Sequence, residues 1–110
     1  MLQANADRRS SRRVPLDVLA NRFLDGYPYL CRATDISRHG IRVWRFTEPR
    51  SGSRFVGLQF QLPGSDEVIT ASGEIVSSDD AERAVGIRFT QLTPNAAAAI
   101  ERFLARSRVS

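Results

Sequence analysis

Two groups of residues in this chain have the types and spacing to hold a phosphorylated base. Arg9-Ser10-Ser11-Arg12-Arg13 supplies R-x-x-x-R. Starting 26 residues after Arg9, Asp35-Ile36-Ser37-Arg38-His39-Gly40 supplies a carboxylate, a hydroxyl and a glycine as D-x-S-x-x-G. A guanidinium fork grips phosphate oxygens or the O6/N7 edge of guanine, and a carboxylate accepts from the N1–H and N2–H2 groups of the same base. Arg9 and Arg13 are therefore candidate phosphate and base ligands, and Asp35, Ser37 and Gly40 a candidate ledge beneath a base.

Each pattern has an ordinary structural alternative. In a chain with 16 arginines and no lysine, about two R-x-x-x-R matches arise by chance. Five occur: Arg8/Arg12, Arg9/Arg13, Arg38/Arg42, Arg50/Arg54 and Arg102/Arg106. Position separates Arg9/Arg13 from the rest, because it joins a polar arm to the first strand and Val14-Pro15 stiffens the exit. D-x-S-x-x-G is rarer, with a chance expectation on the order of 0.1. Its alternative is a strand-ending Asx or Ser turn closed by glycine. At positions i and i+2 of a strand end, Asp35 and Ser37 are expected to project from one face. Gly40 is expected to adopt a backbone conformation that residues with a Cβ avoid, and to let a flat base come close.

The elements that must position these residues are short strands. Leu16 to Leu24 ends at Asp25-Gly26, with Pro28 beyond the turn, and Tyr29 to Ile36 runs into the acidic motif. Ile41 to Phe46 follows Gly40, and Thr47 to Ser53 is a loop. In Phe55 to Leu62, Leu58, Phe60 and Leu62 alternate with Gln59 and Gln61, a period of two with one wet face. Pro63-Gly64-Ser65-Asp66 turns the chain into Val68 to Val76, and Ser77 to Ala81 turns it again. Along Ala84 to Thr90, Val85, Ile87 and Phe89 face one way, Gly86 and Arg88 the other. Thr93-Pro94 opens a helix over 93–108, whose Ile100, Phe103 and Leu104 form an apolar stripe. The pattern predicts a mainly β domain: a six-stranded antiparallel β-barrel with a C-terminal α-helix over residues 14–110, preceded by a flexible basic arm, residues 1–13.

Composition narrows the partners. The 42% hydrophobic and 25% charged residues are ordinary for a soluble domain of 110 residues. No apolar run reaches the ~20 residues of a membrane span, no signal peptide is recognisable, and a cytoplasmic location is expected. Arg8, Arg9, Arg12 and Arg13 against Asp7 give the arm +3 of the formal +4, leaving the body nearly neutral. A short basic arm suits a small anionic ligand better than a long polyanion, which wants a broad basic face. One histidine, one cysteine and no lysine leave few routes to acid–base, nucleophilic or metal chemistry, so neither an enzyme nor a metal site is expected. His39 reads as a solvated turn residue and Cys31 as a small packing group. Trp44 is by default a buried strand residue, with ligand stacking the alternative. Arg88 is either a further ligand contact or a solvated strand arginine.

With both motifs in order, the chain resembles the PilZ family of bacterial β-barrel receptors. The likeness rests on Arg9-x-x-x-Arg13, on Asp35-x-Ser37-x-x-Gly40, on the strand Val85-Gly86-Ile87-Arg88-Phe89 and on the closing helix. It implies a non-enzymatic receptor for the second messenger cyclic di-GMP. Arg9 and Arg13 would lie on phosphates and the guanine edge, and Asp35, Ser37 and Gly40 against a guanine. Arg8, directly before the motif, implies binding of an intercalated cyclic di-GMP pair, and Arg12 is a further candidate. No aromatic residue between Val68 and Val76 supplies the later-strand stacking platform of some relatives. A receptor of this kind would order its arm on binding and signal to a downstream protein. Two rivals remain: a PilZ-like adaptor that acts without ligand, and a nucleic-acid-binding barrel, against which the neutral body and sparse aromatics argue.

Overall fold

The computed structural model describes residues 12–46 and 53–109. Six strands follow one another: β1 (Val14–Leu24), β2 (Tyr27–Ile36), β3 (Gly40–Arg45), β4 (Phe55–Gln61), β5 (Val68–Asp79) and β6 (Ala84–Leu92), and then one helix, α1 (Pro94–Val109). All neighbouring strands are antiparallel, and the order β1-β2-β3-β6-β5-β4 closes into a barrel. Two three-stranded meanders, β1 to β3 and β4 to β6, are thus joined edge to edge, which removes the exposed strand edges of each.

Local chemistry accounts for most turns. Asp25 (φ 51°) and Gly26 (φ 86°) both occupy the left-handed region between β1 and β2. That is the requirement of a two-residue hairpin turn, and Asp-Gly meets it. β2 starts at Tyr27, two residues before the Tyr29 start that the sequence suggested, so Pro28, beyond the turn, lies inside the strand opposite Phe23. It is tolerated because β3 begins pairing with β2 only at Cys31, so the missing N–H breaks no ladder on that side. β5 runs three residues past its expected end: Ser77, Ser78 and Asp79 pair with Gly86, Val85 and Ala84, tightening the β5–β6 turn onto Asp80–Arg83.

Alternation fills the barrel. Ala20 and Leu24 on β1, Cys31 and Ala33 on β2, Ile41 and Val43 on β3, Leu58 and Phe60 on β4, Ile69 and Ala71 on β5, and Val85 and Ile87 on β6 are buried. Thr93 caps α1, its Oγ1 accepting from the Ala96 N–H at 3.1 Å. The helix then adds Ala96, Ala99, Ile100, Phe103 and Leu104 to the same core. Arg22 breaks the apolar pattern, since it occupies an inward position of β1 and is 1% exposed. Burial pulls its guanidinium pKa down. Burial also pushes the neighbouring Cys31 thiol up to about 11, and its Sγ–H donates to the Ala20 carbonyl at 3.5 Å.

Candidate functional site

The two motifs meet at one rim of the barrel because of how β1 and β2 pair. Val14 lies opposite Ile36 and Pro15 opposite Asp35, so Arg13, one residue before β1, stands beside the end of β2. Two irregularities aim the carboxylate. Between Pro15 and Val18, β1 carries an extra residue relative to β2. Against β3, in turn, β2 carries Thr34 as an extra residue between Ala33 and Asp35. A bulge shifts the side-chain alternation by one. Ala33 and Ile36 face the core, while Thr34 and Asp35 both face outward. Thr34 Oγ1–H donates across the bulge to the Arg42 carbonyl at 3.3 Å.

At the rim, an Arg13 guanidinium N–H donates to Asp35 Oδ1 at 2.5 Å, with the side chains 52% and 23% exposed. Each group is thereby held where an incoming anion or base would exchange partners with it. Arg12 is exposed. Arg8 and Arg9, and the arm up to Ser11, lie outside the described residues, as does the loop from Thr47 to Gly52.

Ser37 does not share the face of Asp35. It is 3% exposed, just past the end of β2, and its Oγ accepts from the backbone N–H groups of His39 (3.2 Å) and Gly40 (3.3 Å). The expectation of one shared face assumed an unbroken strand through Ser37, but the bulge at Thr34 and the strand end at Ile36 remove that premise. Ser37 instead builds the turn, which the Ser37 N–H closes onto the Gly40 carbonyl at 2.9 Å. Gly40 is likewise glycine for a different reason than expected. It is not among the residues with positive φ. A Cβ there would collide with the Ile87 carbonyl of β6 and sit 3.3 Å from the Arg88 Cα. The close approach that Gly40 permits is strand to strand. His39 adds to that seam, its carbonyl accepting from the Phe89 N–H at 2.8 Å.

Arg88 lies across from Gly40 on the outside of the barrel. Its guanidinium donates to Glu74, which also accepts from Arg54 at 2.9 Å. Hydrogen bonds from Arg54, then Arg88, hold the Glu74 carboxyl below its usual range. Arg38, inside the acidic motif, pairs with Glu101 on α1 at 3.2 Å and so ties the turn to the helix.

Sequence reasoning passed over Arg42. It faces Asp35 directly across β2 and β3, is half-buried, and lies 3.9 Å from Glu82. Ile41 and Val43 are apolar, so strict alternation from Gly40 would have found it on the outer face. The same alternation turns Trp44 outward, not into the core, leaving it 38% exposed. Among the described residues no group of three or more His, Cys, Asp or Glu side chains could hold a metal ion. No helix among them is long and apolar enough to cross a membrane.

Comparison with known proteins agrees with this architecture. The sequence profile of the PilZ domain matches residues 7–106. No individual curated protein matches the chain by sequence. Among solved structures, the Bacillus subtilis inhibitor of motility MotI/DgrA superposes with a TM-score of 0.74 at 14% identity, covering 93% of this chain and 52% of that one. The chain thus spans about half the length of that relative. The PilZ domain of Escherichia coli YcgR, solved with c-di-GMP, gives 0.70 at 16% identity over 93% of this chain and 92% of that one. Borreliella burgdorferi PlzA, also in complex with c-di-GMP, gives 0.67 at 18% identity over 93% and 43%.

Proposed function

We propose that this chain, which belongs to the PilZ domain family, is a receptor for cyclic di-GMP, with its site at the Arg13–Asp35 rim. One observation carries the reading: residues from both motifs, 22 positions apart, touch through an exposed ion pair. A base and phosphate can exchange into such a pair. Arg13 moves to a phosphate or the O6/N7 edge of guanine, and Asp35 accepts from the N1–H and N2–H2 of the base. YcgR and PlzA, whose solved complexes contain c-di-GMP, share the fold and lend support.

Arg8 and Arg9 supply the remaining charge for a ligand with two phosphates, with Arg12 as a further contact, and an intercalated ligand pair is the stoichiometry that Arg8 suggests. Ser37 and Gly40 serve as positioning residues. The Ser37 hydroxyl fixes the turn and Gly40 seats it on β6, so Asp35 is presented at a constant height. Arg42, beside Asp35, adds a cation. Binding orders the arm against the barrel through contacts that the free state lacks, which is what a switch requires. A downstream protein in the cytoplasm reads the change, and the chain performs no catalysis.

Calorimetric titration tests the site. Arg9→Ala and Arg13→Ala abolish binding with circular dichroism unchanged, and Asp35→Asn weakens it. Unaltered affinity in all three variants excludes this rim as the site.

A further inference from the structure

The trough next to the rim, on the outer face of β3 and β6, has a chemistry of its own. Register places Arg42 opposite Gly86 and Trp44 opposite Ala84. The two outward β6 positions facing them, Ala84 and Gly86, therefore carry nothing taller than a methyl group, while the flanking β3 positions carry long side chains. The result is an open trough of about 550 Å³, walled by Trp44, Arg42 and Thr34 on one side and by Glu82 and Arg83 of the β5–β6 turn on the other. That volume is in the range of small-molecule sites.

Three features make it more than a dent between strands. Trp44 is braced, since the Phe46 ring meets it edge-on at 5.1 Å and 90°. The Arg83 guanidinium donates to the Phe46 carbonyl at 2.7 Å and anchors that brace to the opposite wall. Glu82, 63% exposed and 3.9 Å from Arg42, makes only a loose ion pair that a better donor can displace. An indole face offers stacking to any base. A carboxylate accepts only, so beside the indole it selects a base edge rich in N–H donors. Guanine has that edge in N1–H and N2–H2, whereas adenine presents an acceptor at N1.

We propose that this trough is a guanine subsite, with Trp44 stacking the base and Glu82 reading its N–H edge, while Arg42 bridges to the phosphate held at Arg13, next to the first base on Asp35. The proposal rests on the receptor reading of the rim and extends it to the second base of the same ligand. It makes Trp44 and Glu82 determinants of specificity on a face that neither motif reaches.

Trp44 is the only tryptophan, so its emission reports on the subsite directly. The test titrates the full chain with cyclic di-GMP, following heat, Trp44 fluorescence and acrylamide quenching together. The expected result is a fluorescence change and loss of acrylamide access that saturate with the heat. Trp44→Ala weakens binding roughly ten-fold, and Trp44→Phe restores most of it. Glu82→Gln narrows the preference for cyclic di-GMP over cyclic di-AMP, with circular dichroism confirming the fold of each variant. Binding heat with unchanged Trp44 emission and full affinity in Trp44→Ala overturns the subsite and leaves the rim standing. Absence of heat in the unsubstituted chain overturns the receptor reading and the subsite with it.

Discussion

Two concave patches on the outside of one barrel carry opposite chemistry. On the β3–β6 side, Arg42, Trp44, Glu82 and Arg83 line a trough of about 550 Å³ beside Asp35. On the β1–β4 side, Leu19, Asn21, Leu30, Gln59, Gln61 and Val68 line a groove of about 290 Å³ with no charged group among them. Both are built from outward strand positions with the same backbone. The difference comes from what interrupts regularity. The first patch lies beside the bulge that lifts Asp35 and above the small residues Ala84 and Gly86. The second sits on unbroken pairing, where Asn21 faces Leu30 on one neighbour and Gln59 on the other. A bulge and two small side chains thus convert ordinary barrel wall into a place where charge and an aromatic face can surround a ligand.

The largest effect is expected at the seam beneath the rim. Gly40→Val drives its side chain into the β6 backbone, where neither partner can yield. The expected loss is about 3 kcal/mol, the upper end of overpacking costs, visible as a lower urea midpoint. An unchanged midpoint would show that β3 and β6 are not held as closely as described. Next comes Arg13→Ala, expected to abolish measurable cyclic di-GMP binding, a loss of about 100-fold or more, the scale of a lost charge-assisted contact. Asp35→Asn keeps shape but removes the charge, and a loss of about ten-fold is expected. In the neutral patch, Leu19→Ser with Leu30→Ser should leave affinity for cyclic di-GMP within two-fold or so, since surface substitutions away from a site act weakly. A large loss there would mean that the two faces are coupled.

The buried pair inside the barrel gives a prediction about pH. The folded Cys31 thiol ionises only at about 11, above its ordinary 9.0, because burial disfavours the thiolate. The raised value means that the stabilising, protonated form is shared by both states below pH 9. Stability then falls as pH rises through the window from about 9 to 11, where the unfolded thiol loses its proton first. A thiol-specific disulfide reagent at pH 8 should leave Cys31 untouched until denaturant is added. Rapid labelling of the folded protein would contradict the burial.

Much of the fold could be read from the chain because the relevant signals are local. Leu58, Phe60 and Leu62 alternate cleanly, Asp25-Gly26 marks its turn, and Ile100, Phe103 and Leu104 set the inner face of α1. The order of strands could not be read this way, since β1 with β4 and β3 with β6 join residues far apart in sequence. The site was legible to the same degree. Asp35 beside Arg13 follows from motif positions, but the height of Asp35 is set by bulges defined against partner strands. Ser37 therefore went to the wrong face, and Gly40 to the wrong reason. Arg22 was hidden by its residue type: alternation with Ala20 and Leu24 puts position 22 inside, but the charge of an arginine argues for the outer face. Trp44 was misplaced although the signal was present: its neighbours Val43 and Ile41 already claimed the inner face.

The Arg13–Asp35 rim is proposed to bind a cyclic guanine dinucleotide. Calorimetric titration of the full chain with cyclic di-GMP, with cyclic di-AMP and GTP in parallel, tests it most directly. Saturable heat is expected with cyclic di-GMP, little with the other two, and none in Arg13→Ala. Flat titrations with all three nucleotides, or saturable heat that Arg13→Ala leaves intact, would contradict it.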